Sequence, residues 1–147
     1  MLSGAAIGNI RKKLLGTLLT PADRDYDVVR KVWNGMIDKH PALIAECAGP
    51  KDVVACIDFA RENEVPISVR GGGHNYSGKA VCDGGLMLDL SLMKGMKIDA
   101  ARRTVRAQTG LKLGEFDRET QKHGLATPLG VATTTGISGL TLGGGYG

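Results

Sequence analysis

Val65-Pro66-Ile67-Ser68-Val69-Arg70-Gly71-Gly72-Gly73-His74-Asn75-Tyr76-Ser77-Gly78-Lys79 decides how this chain is read. The apolar run over 65–69 reads as a buried strand, and three glycines follow it almost at once. Consecutive glycines let a backbone turn sharply and approach another group closely, because no Cβ stands in the way. Successive N–H groups in such a turn form a concavity suited to an anion. A solitary histidine, His74, closes the turn. The arrangement points to a diphosphate-bearing cofactor held by backbone, with an imidazole placed to touch it.

Upstream, Pro41–Cys47 reads as a strand ended by Gly49-Pro50, and Asp52 as the N-cap of a helix. From it run Val53, Val54, Cys56, Ile57, Phe59 and Ala60, an apolar face at helical spacing. Residues 41–70 are therefore strand, helix, strand, a unit whose crossover is expected to be right-handed. The glycine turn lies at the carboxyl end of the second strand, where sheets of this kind bind ligands. Nearer the N-terminus, residues 5–19 read as a short helix, Thr20-Pro21-Ala22-Asp23 as a break, and Tyr26–Ile37 as a helix or extended arm.

Downstream, Gly85–Leu90, Met96–Asp99 and Thr104–Ala107 are three short strands. Leu111–His123 is a helix with Leu113, Phe116 and Thr120 on one face, followed by a loop over 124–130. The chain closes on a second glycine-rich segment, Gly136–Gly147. With Ile137, Leu140 and Leu142 left uncovered there, the expectation is the front part of a longer polypeptide. Residues 1–25 read as a helical arm and 26–147 as one domain, incomplete at its C-terminus.

The 147 residues suffice for one domain with a sizeable core. Glycine, at 22 residues, is about twice its usual share and clustered beside apolar, periodic segments. That pattern favours ligand-hugging loops over a linker. The net charge of +4 is scattered and aromatics are only 4%, which argues against a nucleic-acid surface. Cys47, Cys56 and Cys82 are odd in number and form no CxxC pair, as expected of buried free thiols in a reducing, cytoplasmic compartment. No signal peptide or apolar run long enough to span a membrane is read.

Other motifs are weaker. Gly73–Ala80 misses the phosphate-loop pattern because Ala80 stands where a hydroxyl must ligate Mg²⁺. No GxGxxG occurs. His40, His74 and His123 lack metal-ligand spacing with each other or with the cysteines, so no metal is expected. His40 and His123 read as surface or helix-end residues.

Together, Arg70–Gly78 and the downstream run Pro128–Gly147 resemble the FAD-linked oxidases of the vanillyl-alcohol oxidase superfamily, in particular its berberine-bridge-enzyme-like group. The similarity spans about residues 25–147. It implies an α+β fold, a small mixed sheet flanked by helices, forming the N-terminal part of a PCMH-type FAD-binding domain. It implies FAD held by Arg70, Gly71, Gly72, Gly73, His74, Asn75, Tyr76 and Ser77 from the first motif. From the second it implies Pro128, Gly130, Thr134, Thr135, Gly136, Gly139, Gly143, Gly144 and Gly145. His74 stands where the family's histidine bonds covalently to the flavin. Members with a second, cysteinyl link carry that cysteine where this chain has Ala132, so the resemblance implies attachment through histidine alone.

The activity implied is oxidation of a small organic molecule, with hydride passed to the flavin and electrons to O₂. The family's catalytic base and substrate pocket lie mostly in segments this chain lacks, so no catalytic residue is named. Two alternatives stay open. One is a nucleotide- or anion-binding module, or an inactive fragment, without redox chemistry. The other is a dehydrogenase holding FAD without a covalent bond.

Overall fold

The computed structural model describes residues 2–145. Its centre is a four-stranded mixed sheet of β1 (Thr17–Leu19), β2 (Leu43–Glu46), β3 (Ile67–Arg70) and β4 (Leu86–Asp89), in the order β1-β2-β4-β3. β2 and β3 both run parallel to β4, and β1 pairs antiparallel with the far side of β2. The strand–helix–strand unit read from sequence is present, but β4 lies between its two strands. The register sets Leu43, Leu86 and Ile67 side by side, and Glu46, Asp89 and Arg70 at the carboxyl end.

The pleat sorts the core onto two faces. Leu43, Ala45, Leu86 and Leu88 pack on one side with Cys47, Cys56 and Phe59, against α1 (Gly4–Lys13) and α3 (Pro50–Glu62). Ile44 and Met87 point the other way, to Leu19, Tyr26 and Val81, under the segment that follows α2 (Tyr26–Val29). With both faces covered, β4 is apolar at three successive positions, as a buried parallel strand must be. Tyr26 satisfies its buried hydroxyl by donating to the Pro41 carbonyl at 2.6 Å.

Several expectations change here. The helix expected over 5–19 stops at Lys13, because residues 17–19 complete the free edge of β2. Gly4–Lys13 and Thr17–Leu19 thus add a helix and a strand to the same core. The helix or arm expected over 26–37 is one turn of helix and then irregular chain.

Asp52 is not an N-cap. Gly49 holds that position and Pro50, with its φ already set, opens the helix. The Asp52 carboxylate, wholly buried, instead accepts from the amides of Ala48 (2.8 Å), Leu15 (2.8 Å) and Gly16 (3.0 Å). It therefore ties the N-terminal segment to α3. Burial pushes this carboxyl up, but the amides outweigh burial and hold it below the usual carboxylate range.

β5 (Met96–Asp99) and β6 (Thr104–Ala107) form a separate antiparallel hairpin. α4 (Leu113–Gln121) buries Leu113, Phe116 and Thr120, the face expected. The closing glycine segment is not all turn: Ile137–Gly143 is a short helix, α5, capped by Gly144 at φ +97°. Tyr146 and Gly147 lie outside the described residues. Among the described residues, no helix is long and apolar enough to cross a membrane.

Candidate cofactor site

β3 delivers Arg70 to the end of the sheet, but its side chain turns into the protein. The guanidinium pairs with the carboxylate of Asp89, which is 1% exposed, and donates to the carbonyls of Val29 and Lys31. Asp89 also accepts from the Ser91 amide at 3.0 Å. Arg70 therefore buckles the segment after α2 to the central strands, a structural task where cofactor contact was expected.

The glycines that follow do two things. Gly72 and Gly136 cross backbone against backbone: a Cβ on Gly72 would lie 2.2 Å from the Gly136 nitrogen, and a Cβ on Gly136 equally close to the Gly72 nitrogen. No side chain fits at either. Gly73 takes φ +73°, which reverses the chain and lets its carbonyl accept the Trp33 amide at 3.0 Å. Beyond it, Asn75 closes a turn. Its side-chain oxygen accepts from the Lys79 amide (2.8 Å) and the Ser77 hydroxyl (3.0 Å).

His74 lies between these loops. Its ring stacks on Trp33 with centroids 5.3 Å apart and planes 21° from parallel. Nδ1 is 3.5 Å from the Thr135 hydroxyl. Burial, and then the nearby positive charge of Lys112, push the imidazole below its ordinary pKa. The shift favours the neutral ring, in which one nitrogen keeps a free lone pair.

The second glycine segment is sewn to the start of α4. Leu113 and Gly114 donate to the carbonyls of Thr135 and Thr133, and Ile137 donates to that of Leu111, each at 2.9 Å. The Ser138 hydroxyl adds a bond to the Thr109 carbonyl, also at 2.9 Å.

Between the two motifs lies a cleft of about 420 Å³. Of the expected residues, Gly71–Tyr76 line it from one side and Thr135, Gly136, Gly139, Gly143 and Gly145 from the other. Arg70, Ser77 and Thr134 do not line it. Pro128, Gly130 and Gly144 border a separate hollow of about 170 Å³. No carboxylate lines the cleft, and Lys79 is its one charged side chain among the described residues. The amides of Gly71 through Ser77 find no acceptor among the described residues. Seven consecutive unpaired donors beside a lysine suit an anion, and the fit to a diphosphate is good.

A larger groove of about 930 Å³ runs along the opposite face of α5 and contains His123. Cys47 and Cys56 are buried and Cys82 is half-buried, all as free thiols. Among the described residues, no group of histidines, cysteines and carboxylates is arranged to hold a metal ion.

Three neighbours of the site escaped the sequence reading. Lys79 sits in the quoted stretch, yet was weighed only as part of a phosphate-loop pattern. Trp33 and Lys112 lie far along the chain from His74, and no spacing rule connects them to it.

Fold and cleft together define a cofactor-binding domain of the α+β class. More particularly, the chain belongs to the FAD binding domain family, whose pattern matches residues 41–147. It is 44% identical over 119 residues to an FAD-linked oxidoreductase of Dictyostelium discoideum, covering 81% of this chain and 26% of that protein. It is 39% identical over 132 residues to (R)-6-hydroxynicotine oxidase of Paenarthrobacter nicotinovorans, covering 90% of this chain and 29% of that one. The crystal structure of 6-hydroxy-D-nicotine oxidase from Arthrobacter nicotinovorans superposes with a TM-score of 0.89 at 39% identity. That match takes in 91% of this chain and 30% of the solved one. The chain thus spans less than a third of the length of these relatives.

Proposed function

We propose that this chain forms one wall of the FAD site of an oxidoreductase and carries the flavin on His74. The observation that supports the reading most is that Gly71–Tyr76, whose amides find no acceptor among the described residues, line a cleft without carboxylates. These donors would take the FAD diphosphate, with Lys79 adding a point charge. Thr135, Gly136 and Gly139 would approach from the opposite wall. The neutral imidazole of His74 would serve as the covalent anchor, since a nitrogen that holds its lone pair at neutral pH is a competent nucleophile. With Nδ1–H donating to the Thr135 hydroxyl oxygen 3.5 Å away, the ring's lone pair would lie on Nε2.

FAD, when bound, supplies a two-electron acceptor that takes hydride at N5 from a small organic substrate and is reoxidised by O₂. The residues here bind and orient that group. The substrate pocket and any catalytic base are proposed to lie in the length that the relatives carry beyond this match.

His74→Ala tests the reading. Wild-type protein reconstituted with FAD and precipitated in acid is expected to keep yellow flavin in the pellet, and the variant to release it to the supernatant. Acid-stable flavin in His74→Ala would overturn the assignment. Loss of bound flavin from wild type in acid would favour a non-covalent dehydrogenase.

A further inference from the structure

We infer that Trp33 is a positioning residue for His74, fixing the plane of the imidazole before it is joined to the flavin. The inference rests on the reading of His74 given above. Its independent support is how the Trp33 segment is held. Val29 and Lys31 give their carbonyls to Arg70, and the Trp33 amide donates to the Gly73 carbonyl at 3.0 Å. The Asn34 side chain then donates to the Tyr76 carbonyl at 3.0 Å. Four hydrogen bonds thus pin residues 29–34 along the glycine turn, and Trp33 is the part of that brace that meets the imidazole.

An indole that is 63% exposed contributes little to the core. Trp33 is carried by this anchored strap onto the His74 ring. The stack with Trp33 fixes the ring plane, and Thr135 fixes its edge. A ring so held presents Nε2 in one direction, and pre-orientation of a nucleophile raises the rate of bond formation.

A C–N bond forms between the imidazole and the flavin 8α-carbon. One C–H bond of that methyl group and the imidazole N–H break, and both protons leave. The two electrons enter the flavin, which O₂ reoxidises.

Apoprotein mixed with FAD, sampled over time and precipitated in acid, reads the attachment rate. Trp33→Leu is expected to attach flavin about three- to tenfold more slowly, and Trp33→Phe to stay within about twofold of wild type because an aromatic face remains. Equilibrium FAD binding is expected to be unchanged in both. A second readout needs no FAD: Trp33 is the sole tryptophan, so His74→Ala should shift its emission to the red. Leu and wild type attaching at equal rates, or emission indifferent to His74→Ala, overturns this inference. Acid-stable flavin in His74→Ala instead overturns the His74 reading beneath it, so the two failures are told apart.

Discussion

Seven of the eight side chains on β2 and β4 are buried, whereas α5, the short helix on the other side of the cleft, buries none. The first glycine motif grows out of the densest part of the molecule and is buckled to it by Arg70 and Asp89. The second is attached through backbone hydrogen bonds to α4 and through the crossing of Gly72 and Gly136, with Val131 95% and Leu142 87% exposed. One wall of the cleft is thus set by packing and the other by a few polar stitches. The shape of the first motif is therefore a property of this fold. The second wall has apolar surface still to cover.

The largest test of that contrast is Arg70→Met. It strands the Asp89 carboxylate in the interior and is expected to cost about 3–5 kcal/mol in urea denaturation. A loss under about 1 kcal/mol would mean that the sheet side is not the firmly held wall.

Asp52→Asn should cost about 1–3 kcal/mol, because it weakens acceptance from three amides. Its pH signature follows from the lowered carboxyl. Wild type has the full contribution of Asp52 above about pH 4, the unfolded carboxylate range, and loses it as pH falls through the lower folded value. The variant's stability should therefore fall less steeply in acid, as read from denaturation midpoints across that range.

Gly72→Ala sharpens the contrast at the crossing. Its Cβ would drive the two walls apart at a cost of about 1–3 kcal/mol, most of it seen as weaker FAD binding with the sheet still folded. Gly139→Ala is the control, since nothing stands within 4 Å of its added Cβ and its unfolding should not worsen. Smallest of all, Leu142→Ser should change stability by no more than about 0.5 kcal/mol. A clear loss there would show that α5 is held more tightly than its exposure suggests.

Much of the first wall was legible in the sequence because its rules are local. The alternation of Leu43 and Ala45 with Ile44, the face of α4 and the glycines after Val69 all lie within one element. The position of β4 was not legible, since nothing near residues 86–89 says that they insert between β2 and β3. Asp52 was misread because an aspartate near a helix start serves equally as a cap or, as here, as an acceptor for distant amides. The closing segment was read only as glycine-rich with an apolar run in it, and Ile137–Gly143 of that run forms a helix. The glycines at 71–73 were read as clearance for a ligand. Gly72 gives that clearance to Gly136, a partner that local pattern cannot reveal.

The insertion of β4 also has a bearing on how the molecule is made. β2 and β3 do not touch each other in the sheet; each pairs with β4, which lies between them. As the chain leaves the ribosome, the glycine turn and His74 emerge before residues 86–89, so the binding loop exists for a time with no sheet beneath it. Pairing between strands distant in sequence is slow, because the intervening loop must close first. The first loop therefore reaches its final shape only after Asp89 has been synthesised and seated against Arg70.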